Sequence, residues 1–208
     1  DVSAPIANHN AQLGGLANII QGTQLTITTV VSDDVYTLNT SGVDAFERYA
    51  QDQASPGPLD GTGDFLSALL NVNLQFPGKL NNDNGNRRTL WDFDLPELGV
   101  GETVTGAILT FRLGNITDGS PDYTIYGSTI GSGTTGTASL YQDSNYDQVI
   151  GTFADGDDNT TVNIDVLAFV NANYAADGGD TWASFRIQSD DVSAPIANHN
   201  AQLGGLAN

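Results

Sequence analysis

The chain has no cysteine, no methionine, one lysine and three glutamates among its 208 residues. Without cysteine there is no disulfide scaffold, no thiolate metal site and no thiol nucleophile. A chain that begins at Asp1 and holds no methionine is expected to be a processed or internal piece of a longer product. No apolar run approaches the roughly 20 residues that a membrane-spanning helix requires. Basic residues are scarce: 6 Lys plus Arg stand against 25 Asp plus Glu, a formal net charge of −19. Such a surface repels nucleic acid and anionic lipid, which argues against partners of both classes. Only Glu47, Glu97 and Glu102 are glutamates, so nearly all the negative charge sits on aspartate, the short carboxylate favoured in turns and calcium loops. Solvation in high salt and binding of a divalent cation both account for that composition.

What the chain has in place of these is a duplication. Residues 1–18, DVSAPIANHNAQLGGLAN, recur letter for letter as residues 191–208, an offset of 190. The spacing predicts one 190-residue repeat followed by the start of the next. Setting aside the second copy and its single Asp, one period carries 24 acidic and 6 basic residues. The expected organisation is an inter-repeat joint over 1–20, one domain over 21–190, and the next repeat from 191.

Between the copies, short alternating runs rich in Thr, Val and Ile are bounded by Gly, Asp and Asn. Strands are predicted at 24–31, 71–76, 87–95, 103–113, 122–130, 137–142, 148–153, 160–164 and 181–188. Leu109, Phe111 and Leu113 alternate with Thr110 and Arg112, which turns one face to a core and one to water. Two short helices are predicted at the rim. One covers 41–53, where Val43, Phe46 and Tyr49 recur every third residue behind a Ser41–Asp44 pair resembling a capping box. The other covers 165–179, with Val166, Val170 and Tyr174 on one face and Asp165 as its cap. The fold class is therefore all-β, a jelly-roll-like β-sandwich with two short rim helices and an N-terminal linker segment.

The phrase RRTLWDFDLPELGVGETVTGAILTFRL (87–113) resembles the signature of DNRLRE-type domains, β-sandwiches grouped with carbohydrate-binding modules in secreted prokaryotic proteins. The matching positions are Phe93, Asp94, Leu95, Val104, Ala107, Leu109 and Phe111. VNIDVLAFVNANYAADGGDTWASFRI (162–187) is similar to that family's closing helix and final strand. The resemblance spans the latter half of the chain and implies a jelly roll in an extracellular setting; the hexapeptide that names the family is absent.

No catalytic constellation is expected. One period holds a single histidine, His9, repeated as His199, among Pro and Asn rather than between rigid partners. There is no phosphate loop, zinc motif or nucleophile elbow. Asp155, Asp157 and Asn159 alternate in DGDDNTT, so their oxygens can converge on calcium at a turn; a plain polar turn is the competing reading. Asn39, Asn115 and Asn159 stand in glycosylation triplets. Tyr123, Tyr126, Tyr141 and Tyr146 lie in a Gly-, Ser- and Asp-rich stretch and are candidate sugar-contacting aromatics, whereas Trp91 and Trp182 are expected in the core or at its edge. Lys79, the one lysine, follows Pro77 and Gly78 in an expected turn. A lysine kept neutral in an apolar site can form an amide with an asparagine, and a solvated lysine is the plainer alternative.

The joint is no flexible tether, because Ile6, Leu13, Leu16, Ile19 and Ile20 are apolar residues that a solvated linker would not keep. They are expected to cover their own sandwich or to dock on the neighbouring unit, where an extended segment can add a strand to a sheet edge. An open head-to-tail contact generates a filament. The expected function is thus a structural repeat of a long extracellular filament, stalk or surface array whose partners are copies of itself. The alternative is an extracellular carbohydrate-binding module whose partner is a polysaccharide.

Overall fold

The computed structural model describes residues 23–31, 33–40, 45–53, 59–67, 74–75, 77–80, 85–116, 122–128, 136–154, 157, 160–176, 181–189 and 199–204. Alternation starts the fold at β1 (Gln24–Val30), where Leu25 and Ile27 are fully buried. β1 forms a hairpin with β2 (Val35–Asn39) and pairs along its other edge with β8 (Thr103–Ile116), setting Leu25 against Leu109 and Ile27 against Ala107. A bulge between Thr28 and Thr29 shifts this register, so Val104 and Ala107 both face the core although three residues apart. β11 (Thr161–Asp165) lines the opposite edge of β8 and completes the continuous part of the first sheet.

The second sheet runs β4 (Phe65–Leu66), β3 (Ala45–Gln53), β7 (Gly85–Asp94), β12 (Trp182–Ser189), β9 (Tyr123–Ser128) and β10 (Gln148–Phe153), every pair antiparallel. β6 (Gly78–Leu80) pairs with β7 at Gly85–Arg87, where β12 no longer reaches. The remaining strands are β5 (Leu74–Gln75) and β13 (His199–Gly204).

Aromatic rings fill the space between the sheets. Trp91 lies 5.2 Å from Phe111, Phe111 lies 6.0 Å from Phe153, and Phe153 stacks on Tyr123 at 5.1 Å. The helix α1 (Leu167–Ala176) closes one end, presenting Phe169 and Val170 to the core beside Val166, the residue just before it. The Asp165 carboxylate accepts the Leu167 N–H at 2.9 Å, the capping role expected of it. Phe169 lies directly on Gly127, where an added Cβ would come within 2.5 Å of its ring.

The all-β sandwich is as expected, with two corrections. The segment 45–53 is strand β3, not a rim helix. Its faces are both buried, so the apolar spacing that mimics a helix is only one part of its pattern. The segment 138–141 is a 3-10 turn and not a strand, because Leu140 and Tyr141 cap the outer face of the second sheet. Ser41 and Asp44, the expected capping pair, lie outside the described residues.

Candidate assembly joint

β13 is built from the second copy of the duplicated segment, its six residues being identical to residues 9–14. HNAQLG has little intrinsic strand preference, so its extended state is set by what flanks it. His199 and Asn200 pair with Lys79 and Gly78 of β6 in the second sheet. Ala201, Leu203 and Gly204 pair with Ile116, Leu113 and Arg112 of β8 in the first. On its far side β13 pairs with β5, Leu203 opposite Gln75. One short strand thereby joins both sheets and takes the edge of β8 that β1 leaves vacant.

Leu203 is the anchor. It is 1 % exposed and packs in the main core, and its register partner Leu113 is fully buried. Burial of a leucine side chain is worth about 1.5–3 kcal/mol. The backbone ladder adds directional pairing to that apolar contact, the combination by which an added strand is held in a sheet. Leu203 is the 190-residue counterpart of Leu13, one of the expected joint residues. Ile6, Leu13, Leu16, Ile19 and Ile20 themselves lie outside the described residues.

The outer face of the second sheet carries a buried polar layer that holds three of the six basic residues. Arg48 donates to Asp92 at 3.0 Å, both side chains being almost wholly buried, and the Ser184 hydroxyl donates to the other Asp92 oxygen at 2.5 Å. The Arg88 guanidinium lies over the Tyr141 ring at 4.0 Å and donates to the Tyr141 carbonyl. Arg186 lies over Tyr146 at 4.8 Å and donates to the Leu140 and Asp143 carbonyls. Burial, with Arg88 nearby, lowers the Arg186 pKa to about 10, and burial raises that of Tyr141 to about 12. On the inner face, Glu47 accepts the Trp91 indole N–H at 3.0 Å. Desolvation raises its pKa to about 8 against that bond, so the side chain is a neutral acid at pH 7.

This layer corrects the expectation of sugar-contacting tyrosines. Tyr123 is fully buried in the core, and Tyr141 and Tyr146 are buried beneath the 138–146 segment as partners of arginines. Tyr126 is half-buried, with Arg186 6.0 Å from its ring centre. The 138–146 segment packs closely on the loop before β4, where an added Cβ on Gly63 would meet Ala138 and Tyr141. The tryptophans are where expected: Trp91 is in the core and Trp182 is half-buried, stacked on Phe46 at 5.8 Å.

Of the calcium candidates, Asp155 and Asn159 lie outside the described residues. Asp157 shapes a turn: its carboxylate accepts the Ala154 N–H at 2.9 Å and its carbonyl accepts the Thr160 hydroxyl at 2.5 Å. Among the described residues no three His, Asp or Glu side chains cluster as metal ligands. Asn39 ends β2 and Asn115 lies in β8, their side chains being outside the described set together with Asn159.

The chain matches no protein-family model and no curated protein. The joint strand carried one legible sign, a buried-type leucine in an exact duplication. The polar layer carried none, because charged residues in a strand ordinarily signify solvent.

Proposed function

We propose that the chain is a structural repeat of an extracellular filament, stalk or surface array, whose units join head to tail when the leading segment of one enters the sheets of the one before. The observation that carries this reading is β13: a segment identical to residues 9–14 completes the sandwich formed by the preceding residues. Nine residues, 15–23, separate the matching first-copy segment from β1, which makes a short joint. Identical segments give identical joints, and an open contact of this kind propagates without closing. The absence of cysteine and the net charge of −19 suit an extracellular surface. The carbohydrate-binding alternative has lost its main support, since three of its four tyrosines are buried.

The test compares the 208-residue chain with a version ending at residue 190. In the longer chain the slot is filled by its own second copy, so it should remain monomeric. In the shorter one the slot is open and the single remaining copy should fill a neighbour's. Electron microscopy should then show threads with one bead per unit, and Leu13→Asp should disperse them. A folded, monomeric shorter chain would sink the proposal.

A further inference from the structure

Strands β1, β2 and β8 of the first sheet hold no Asp or Glu, although the chain has 25. Their outward side is built from small β-branched residues in register: Thr37, Thr26 and Ile108 form one row, and Val35 stands beside Thr28 in the next. Val35, Thr37 and Ile108 are exposed, and Thr26 and Thr28 are half-buried. The edge strand β11 extends these rows, with Asn163 opposite Thr110 and Asp165 opposite Ile108. Two charges flank the Thr110–Asn163 row: Asp165 on one side, and on the other Arg112, opposite Thr161. Among the described residues Arg112 has no hydrogen-bond or ion-pair partner, whereas Arg48, Arg87, Arg88 and Arg186 are all engaged. Copies of so acidic a chain repel wherever carboxylates face each other, so a side free of them is where two copies can approach. The centres of protein interfaces are likewise depleted of charge, and sheets stack face to face through interdigitated side chains.

We propose that this outer face packs on the same face of a second copy of the chain, about a two-fold axis lying along the Thr110–Asn163 row. Such an axis reverses strand direction and keeps the order of the strands. The Arg112 row of one copy therefore lies over the Ile108–Asp165 row of the other. Each Arg112 stands one strand spacing, about 4.8 Å, to the side of the Asp165 of the other copy, and the symmetry makes the ion pair twice. The face measures roughly 20 Å by 17 Å from strand spacing and rise, well below the ~800 Å² per partner of a stable interface. Two single chains thus meet only briefly and the 208-residue chain is monomeric at equilibrium. Units held in a row multiply the contact and bind side by side. The contact between two chains does not rest on the filament reading.

Because the chain has no cysteine, an engineered thiol is the only one present. Asn163→Cys puts it on the axis row of an exposed strand, where it meets its own counterpart, and Thr152→Cys puts one on the exposed strand β10 of the second sheet as a control. A bis-maleimide that bridges the spacing of stacked sheets, about 10 Å, should link Asn163→Cys chains about tenfold faster than Thr152→Cys chains, each rate being divided by that for a monofunctional maleimide. Adding Arg112→Glu to the Asn163→Cys chain should bring its rate down to that of the control, with the circular dichroism unchanged. Equal rates for the two thiols overturn the pairing, and a fast rate that Arg112→Glu leaves intact overturns the two-fold arrangement. If Asn163→Cys does not fold, Thr110→Cys in the same row makes the same test. A flat uncharged face can also meet a polysaccharide. Slow linking, together with retention on microcrystalline cellulose that Ile108→Asp abolishes, assigns the face to that polymer and overturns the pairing.

Discussion

Leu203 of β13 stands directly opposite Leu113 of β8, and both are buried in one core although Leu203 belongs to a segment that also occurs 190 residues earlier as Leu13. One chain thus contains the same leucine twice, and the second copy is seated in the core. Leu203→Ala should destabilise the 208-residue chain by about 2–5 kcal/mol, the range for a buried leucine. Leu13→Ala in the same chain should leave the unfolding midpoint unchanged. Paired denaturant titrations check the asymmetry; equal effects from the two substitutions would mean that the copies are equivalent in solution.

The Arg48–Asp92 pair should show the asymmetry typical of buried ions. Asp92→Ala removes the carboxylate that accepts from the buried guanidinium and from the Ser184 hydroxyl, and should lower stability by about 3–5 kcal/mol. Replacing both partners together, Arg48→Met with Asp92→Leu, should restore most of that loss. A double-mutant cycle measures it.

Glu47 makes stability depend on pH. Its folded pKa, raised to about 8, lies above the usual 4.5, so the folded state holds a proton that the unfolded chain releases between those values. The stability it contributes is complete below about pH 4.5 and is lost as pH rises through about 8, at roughly 1.4 kcal/mol per pH unit in between. Glu47→Gln keeps an acceptor for the Trp91 indole and should remove that slope, so the variant should gain on the parent as pH rises from 5 to 8 in unfolding titrations. Parallel pH profiles for the two would contradict the assignment.

Where one face met the core and the other was more exposed, as in β1, β8, β10 and β11, the alternation was readable. These strands fall within three residues of their expected bounds, as do β7, β9 and β12 although both of their faces are buried, and Val170 and Tyr174 lie on the core side of α1 as their spacing implies. β3 was not readable, because Arg48 and Asp92 bury its outer face, erase the alternation and leave Phe46 and Tyr49 at a helical interval. Tyr141 and Tyr146 were unreadable for the same reason: polar neighbours that suggested solvent were partners in a buried layer of arginine and aromatic rings, whereas Tyr123 belongs to the core between the sheets. β13 was readable only as a duplication. Its strand state arises from β8, β6 and β5, which lie far from it in sequence.

The most direct measurement isolates the slot from its occupant. Residues 19–190 lack both copies, and a labelled peptide of residues 1–18 supplies one. Fluorescence anisotropy should show saturable binding at one peptide per chain, with a rise in melting temperature that follows mass action and with both effects lost in a Leu13→Asp peptide. If 19–190 is unfolded alone, the peptide should restore its circular dichroism. A folded 19–190 that ignores the peptide, or an unfolded one that the peptide does not rescue, would contradict a joint made by strand donation.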